Sequence, residues 1–282
     1  MVLAGGVLAL AGAGILFLPV DRSLNRVVSD GVIRIGYAVE APYAFLKPGG
    51  EVSGEAPEVA KVIAAQLGIP RIEWRQMEFD ALIPQLEAGR IDVIAAGMFI
   101  TPERARRVHF SKPTLRVRQG LLTRSGNPLQ IHSYAQAVSH PDLKVAVLSG
   151  SAEQRLLRRM GLPEDRTVAV PDARTGRVAV ESGVAGCLAL SLPSVRWLAL
   201  QGLPGKTEAA TELAEDAPLT PVEEAALTAF AFHRKDRRLH AAWDRELEQF
   251  IGRPGHLAIL QLFGLTPEDL PDNGETGQED TP

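Results

Sequence analysis

The stretch from Gly89 to Pro113, GRIDVIAAGMFITPERARRVHFSKP, decides the interpretation of this chain. Its residues Ile91 to Ala96 are a short apolar run of strand length, which is typical of a buried strand. The segment before it carries apolar residues at helical spacing, with Asp80 placed to cap its start and Gly89 to end it. A helix that leads into a buried strand is the repeating unit of a parallel α/β sheet.

The same alternation continues on both sides of this stretch. Upstream, Val32 to Ala38 is a predicted strand and a helix is predicted between Gly54 and Gly68, so Val32 to Gly97 forms βαβαβ. Downstream, a second α/β unit begins at Lys144. Its predicted elements are strands at 145–148, 167–170 and 186–190, helices at 151–160 and 176–182, another strand at 229–232 and a helix after it. The chain therefore has the pattern of two α/β units.

Composition and charge narrow the functional classes. Of the 282 residues, 45% are hydrophobic and 23% are charged, and 30 Lys and Arg stand against 34 Asp and Glu. This balance is ordinary for a globular protein and gives no basic excess for nucleic acid. Cys187 is the only cysteine, which excludes an intrachain disulfide and a multi-cysteine metal site. The histidines are scattered without metal-ligand spacing, so no metal or other cofactor is expected.

The two ends of the chain differ from the rest. Met1 to Val20 is an uncharged apolar run, and we interpret residues 1–28 as a signal peptide or an N-terminal membrane anchor; a buried core helix is the alternative. Either export interpretation places the remaining chain on the periplasmic or extracellular face of the cell membrane. Residues 271–282 are polar and lack apolar periodicity, so we predict a disordered tail.

Four stretches together resemble the family 3 extracellular solute-binding proteins, which deliver polar amino acids and related zwitterions to ABC importers. They are IRIGYAVEAPYAFL (33–46), the stretch 89–113, VAVLSGSAEQRLL (145–157) and the segment 232–264. The resemblance implies a type II periplasmic-binding-protein-like fold of two βα-sandwich lobes. Lobe one would comprise residues 29–122 plus 230–270 and lobe two residues 123–229, joined by hinge strands near 120–123 and 229–232. It also implies a non-enzymatic monomer that binds a small zwitterion and docks on the permease subunits of an ABC importer.

The resemblance assigns a ligand clamp and shows two departures from the family. Arg104, in TPER, matches the family arginine that binds the ligand carboxylate, and a guanidinium fork suits bidentate carboxylate recognition. The alternative is an exposed basic residue like Arg106 and Arg107. Phe99 replaces the serine or threonine of most amino-acid binders, and Gly186 stands where the family often has an aspartate for the ligand ammonium. A ligand whose cation is delocalised is therefore a better match than an ordinary α-amino acid.

These features resemble the ectoine and hydroxyectoine binding proteins within the family. By that resemblance Tyr43, Phe79 and Phe99 form an aromatic cage, Glu40 binds the amidinium of the ligand and Gly97 lies among the ligand-binding residues. Core packing is the alternative role for Phe79.

Lobe two contributes three further candidates. Gly150 and Ser151 lie at a capping-box turn that presents backbone amides to a carboxylate, or that is simply a capped loop. Asp172 touches the ligand or caps a helix, and the cap is favoured. A polar amino-acid binder stays open as a rival function and needs an acidic residue facing the ligand from lobe two. A dehydratase-like or murein-cleaving enzyme and a receptor sensor domain are further rivals, although Glu40 is the one acid/base candidate in the predicted cleft.

Overall fold

The computed structural model describes residues 21–210 and 225–272. The predicted apolar export run and most of the predicted tail lie outside the described residues. The strands are β1 (Val32–Tyr37), β2 (Phe45–Leu46), β3 (Val52–Ser53), β4 (Arg71–Gln76), β5 (Val93–Phe99), β6 (Val108–Phe110), β7 (Leu115–Arg124), β8 (Val145–Leu148), β9 (Thr167–Val170), β10 (Cys187–Ser191), β11 (Thr207–Ala209) and β12 (Ala225–His233). The α-helices are α1 (Ser23–Asp30), α2 (Glu55–Gln66), α3 (Leu82–Glu87), α4 (Pro102–Ala105), α5 (Tyr134–Ser139), α6 (Ala152–Arg159), α7 (Ala173–Glu181), α8 (Leu192–Gln201), α9 (Arg237–Phe250) and α10 (Pro254–Leu262).

Lobe one is built on a sheet in which β1 lies between β4 and β5, parallel to both, while β12 runs antiparallel to β5. β5 is almost continuously buried because helices cover both faces of the sheet. Its alternate residues point to opposite faces, with Val93 packed towards α2 and α9 and Ile94 packed towards α3. On the α9 face, Trp243 packs edge-on against Phe230 and Phe232.

Lobe two repeats this plan. β8 lies between β9 and β10, parallel to both, and β7 runs antiparallel to β10 and β11. Val145 and Val147 of β8 pack towards α5 and α6, and Ala146 and Leu148 pack towards α7 and α8. The sheet is thus covered on both faces, as the apolar strand pattern predicted.

β7 and β12 join the two lobes. Leu115–Arg118 of β7 pair antiparallel with Ala225–Thr228 of β12, so the two crossing strands are hydrogen-bonded to each other. Beyond this point Gln119–Thr123 pair with β10 in lobe two, and Thr228–Phe232 pair with β5 in lobe one. The two strands thus cross where residues 115–118 pair with 225–228, and the hinges near 120–123 and 229–232 stay a prediction.

The first described helix belongs to lobe one. Val27 of α1 is fully buried, and Ser23 accepts a hydrogen bond from the backbone N–H of Leu239 at 3.1 Å. Arg26 forms an ion pair with the buried Asp92 at 2.6 Å. The boundary at residue 28 that we predicted for an export segment thus falls inside a packed helix. Within residues 21–210 and 225–272, none of the helices combines the length and the apolar character that spanning a lipid bilayer requires.

Candidate ligand-binding cleft

The loop after β1 carries two of the predicted site residues. Glu40 and Ala44 exchange backbone hydrogen bonds of 2.8 and 3.0 Å, which closes the loop tightly around Tyr43. The Tyr43 ring lies directly against Gly97 of β5, where an added Cβ would be 2.4 Å from the ring Cγ. Gly97 also has a φ of +58°, a conformation that favours glycine. Gly97 thus admits the ring of Tyr43.

Glu40 is a buried carboxyl at the boundary between the lobes. Its Oε1 accepts a hydrogen bond from the Ser194 hydroxyl of lobe two at 2.7 Å. Burial raises the pKa of Glu40 to about 8, and the neighbouring Glu153 carboxyl adds to the rise, while Ser194 and Arg104 oppose it. Near neutral pH the site therefore favours the protonated form of Glu40, and a cation placed beside the carboxyl would shift the balance towards the ionised form.

Arg104 is a buried guanidinium held by a short local structure. The Thr101 hydroxyl caps α4 by accepting from the Arg104 backbone N–H at 3.2 Å. The side chain is 4% exposed; Nη1 donates to the Phe99 carbonyl at 2.9 Å and Nη2 to the Gly150 carbonyl at 3.0 Å. Its guanidinium carbon lies 5.2 Å from the centre of the Phe79 ring, a cation–π contact.

The charge of Arg104 has no carboxylate within ion-pair distance among the described residues. Burial lowers the pKa of Arg104 to about 9, Arg155 adds to the lowering, and Glu153 is the first of the nearby carboxyls that oppose it. The guanidinium donates hydrogen bonds to two backbone carbonyl oxygens. A guanidinium has five N–H donors in all. The remaining donors are therefore available to an anionic group.

The three predicted cage residues are all buried, and one of them, Phe79, contacts Arg104. Tyr43 and Phe99 belong to one apolar cluster, which also contains Leu115 of the crossing strand β7. Phe79 packs in a different cluster, and one face of its ring is taken by Arg104. Of the three rings, that of Phe79 contacts the Arg104 guanidinium, while Tyr43 and Phe99 lie in the apolar cluster beside the crossing strand.

Gly150 and Ser151 form a capped turn at the start of α6. The Ser151 hydroxyl accepts from the Gln154 backbone N–H at 3.1 Å, and the Gln154 side chain accepts from the Gly150 N–H at 2.8 Å. The Ser151 N–H donates to the Leu148 carbonyl at 3.0 Å. Two of the backbone amides that we predicted to face a carboxylate are therefore already hydrogen-bonded, and it is the Gly150 carbonyl that faces Arg104. Asp172 caps α7, accepting from the Thr175 N–H at 2.7 Å.

The two lobes are in direct contact across the cleft. Tyr43 donates its hydroxyl to Ser191 at 2.9 Å, and the Phe45 ring packs on Trp197 with centroids 5.5 Å apart. On the other side, Arg104 reaches Gly150, and a Cβ on that glycine would lie 2.7 Å from Cβ of Asp80. The lobes are thus closed around Glu40 and Arg104, which are both buried.

Residues 33–259 match the bacterial extracellular solute-binding proteins, family 3. The chain belongs to this family. This solute-binding protein is similar to a probable amino-acid ABC transporter periplasmic-binding protein of Sinorhizobium fredii, at 30% identity over 95% of this chain and 89% of the relative. It is also similar to the L-arginine-binding protein of Pseudomonas aeruginosa, at 36% identity over 37% of this chain and 39% of that protein.

Solved structures agree on the fold. The crystal structure of EhuB in complex with hydroxyectoine matches with a TM-score of 0.80 and 31% identity, covering 87% of this chain and 93% of that chain. A mutant of ArgBP from T. maritima matches with a TM-score of 0.75 at 21% identity, covering 86% and 99% of the two chains. The fold of this solute-binding protein is the two-lobe fold of type II periplasmic binding proteins, as the sequence predicted.

Three residues of lobe two reach the cleft although the sequence did not single them out. Ser191 ends β10 and contacts Tyr43, Ser194 contacts Glu40, and Glu153 is a buried carboxyl of α6 whose pKa is raised by burial and lowered in part by Arg104. Gly186, which we placed opposite the ligand cation, precedes β10 at its other end, where a Cβ would meet Leu143. The signal that was available for the serines is the strand-to-helix junction SLPS at 191–194, a capping serine followed by proline.

Proposed function

We propose that this protein is the substrate-binding component of an ABC importer and that it captures ectoine or hydroxyectoine, zwitterionic compatible solutes, between its lobes. It would act as a monomer on the periplasmic or extracellular side and deliver the solute to membrane permease subunits. The observation that carries the proposal is Arg104, a buried guanidinium without an ion-pair partner among the described residues. A buried charge is costly unless it is paired, so this site calls for an anion.

The carboxylate of the solute would bind Arg104. A guanidinium fork matches two carboxylate oxygens, and its bonds to Phe99 and Gly150 hold it in place without neutralising it. The Gly150 carbonyl belongs to lobe two. Closure of the lobes therefore orients the Arg104 guanidinium.

The cationic end of the solute would bind Glu40. A cation beside this carboxyl would favour its ionised form against burial and against Glu153. Tyr43 and Phe99 would then pack on the ring of the solute, and aromatic faces attract a delocalised cation such as an amidinium. The likeness to EhuB, which was solved with hydroxyectoine, supports this assignment.

A polar amino acid is the second candidate, and Glu153 favours it. This carboxyl comes from lobe two and lies near enough to Glu40 and Arg104 to change the pKa of both. Two acids around one arginine would suit a ligand with a compact ammonium or a second positive charge. The similarity to an L-arginine-binding protein is consistent with that ligand class.

Calorimetric titration of the purified protein with ectoine, hydroxyectoine, arginine and glutamine tests both candidates. Arg104→Ala is expected to weaken binding of the true ligand by about 3 kcal/mol or more, because its carboxylate is left buried and unpaired. Arg104→Lys should recover only part of the loss, since lysine lacks the fork. Arg106→Ala removes an exposed arginine two positions along and serves as the matched control, with affinity unchanged.

The ligand panel separates the outcomes. Binding of ectoine or hydroxyectoine in preference to the amino acids supports the proposal, and the reverse preference assigns the protein to the second candidate. Wild-type affinity in Arg104→Ala for every ligand that binds would overturn the carboxylate clamp.

A further inference from the structure

The first turn of α8 brings lobe two onto the loop that carries Glu40. Ser194 is fully buried, and its hydroxyl donates to Glu40 Oε1 at 2.7 Å. Ser191, three residues earlier, accepts from the Tyr43 hydroxyl at 2.9 Å and from the Ser194 backbone N–H at 3.3 Å. Two serines of one helix turn therefore contact two neighbouring side chains of lobe one, and one of the two reaches the carboxyl.

The groups that face Glu40 act in opposite directions. Burial and the carboxyl of Glu153 on α6 favour the protonated form, whereas the Ser194 hydroxyl and Arg104 on α4 favour the ionised form. Tyr43 lies in the same loop and is held neutral, because burial raises its pKa well above the ordinary value. Among the described residues of lobe two, Ser194 is thus the one that donates a hydrogen bond to Glu40 and stabilises its ionised form. It does so without carrying a charge.

We propose that Ser194 is a positioning residue for Glu40: its hydroxyl orients the carboxyl towards the cationic group of the solute, and helps it to ionise there, when the lobes close. The inference rests on the proposed function only in taking Glu40 as the cation contact; it does not depend on which zwitterion binds. A hydroxyl that donates to one oxygen of a carboxylate leaves the other oxygen free for an N–H of the solute. Since the donor lies on lobe two, closure itself completes the cation subsite.

Titration of the full chain with ectoine and with arginine between about pH 6 and pH 9 tests this role. Ser194→Ala is expected to weaken binding about 10-fold at the acid end, because ionised Glu40 loses a charge-assisted hydrogen bond. The deficit should shrink towards the alkaline end, where Glu40 is ionised without help. Ser191→Ala is the matched control: it removes a buried hydroxyl of the same helix turn that contacts Tyr43 and not Glu40, so any deficit should be the same at every pH.

The possible results separate this inference from the proposed function. A deficit of Ser194→Ala that is constant across pH, or equal to that of Ser191→Ala, would make Ser194 a packing contact only and overturn the inference. The side chain of Glu40→Gln cannot ionise. Adding Ser194→Ala to this variant should therefore cause no further loss of affinity that depends on pH, and a further pH-dependent loss would also count against the role. If the alanine variant does not fold, Ser194→Cys retains the approximate size, weakens the donor and supports the same comparison.

Titration of the wild-type protein tests the choice of ligand independently of these variants. Arginine binding without ectoine binding would remove the proposed ligand but leave Ser194 testable with arginine. Failure of every zwitterion to bind the wild-type protein would overturn both proposals.

Discussion

Glu55→Gln is expected to change how the stability of the protein depends on pH. Glu55 begins α2 with its side chain 0% exposed, and neither of its oxygens makes a hydrogen bond to a described residue. Thr114 lies next to it and contacts the Thr228 hydroxyl at 3.0 Å, where the chain enters the crossing strands. Burial raises the pKa of Glu55 from 4.5 to about 8, and Thr114 lowers it only in part.

The sign of the effect follows from proton binding. Below pH 4.5 the carboxyl is protonated in the folded and the unfolded chain, so its contribution to stability is fully present. As pH rises towards about 8, the unfolded chain releases this proton and the folded protein keeps it, so the free energy of unfolding falls by about 1.4 kcal/mol per pH unit. Across the interval the loss amounts to about 5 kcal/mol, an upper value because water entry around an ionised Glu55 relieves part of it.

Urea unfolding at about pH 5, 7 and 9 measures this difference. Glutamine is close in size to protonated glutamate and does not ionise, so Glu55→Gln should match the wild type near pH 5 and exceed its stability by several kcal/mol near pH 9. Glu58→Gln is the control, one turn along α2, where the carboxylate pairs with Lys61 at 3.0 Å; no gain at alkaline pH is expected there. Parallel curves for the wild type and Glu55→Gln across the whole range would refute the reasoning.

Two further substitutions test the cleft. Phe99→Thr is expected to weaken ectoine binding by roughly 1–3 kcal/mol through lost apolar and cation–π contact. Calorimetry measures the affinity, and thermal unfolding measures the stability of the ligand-free variant. A lower melting temperature with unchanged affinity would assign Phe99 to the core alone. Gly150→Ala is expected to weaken binding by about 1–3 kcal/mol because its Cβ would lie 2.7 Å from Cβ of Asp80 in the closed lobes. Gly183→Ala carries the same backbone strain, with φ +79° against +74°, but meets open space, so an equal loss in both variants would contradict the closure argument.

Local patterns were sufficient for most elements that carry the site. The predicted strands at 145–148 and 167–170 are β8 and β9 with the same bounds, because each is a short apolar run between turn residues. β5 continues past its predicted end at Ala96 to Phe99, since Met98 and Phe99 pair with Ala229 and Thr228 of a strand remote in sequence. Pairing of that kind leaves no local signal.

Short motifs were enough to predict the two α/β units and the family, and they also supplied the lobe-one candidates for the site. Arg104 is an example: Thr101 caps its helix within one turn, so the motif alone orients the backbone. The contacts that Ser191, Ser194 and Glu153 of lobe two make at the cleft became visible only in the folded molecule. Which end of β10 meets lobe one depends on how β7 and β12 pair across the two sheets, and such long-range pairing is set by packing of the whole molecule and not by neighbouring residues.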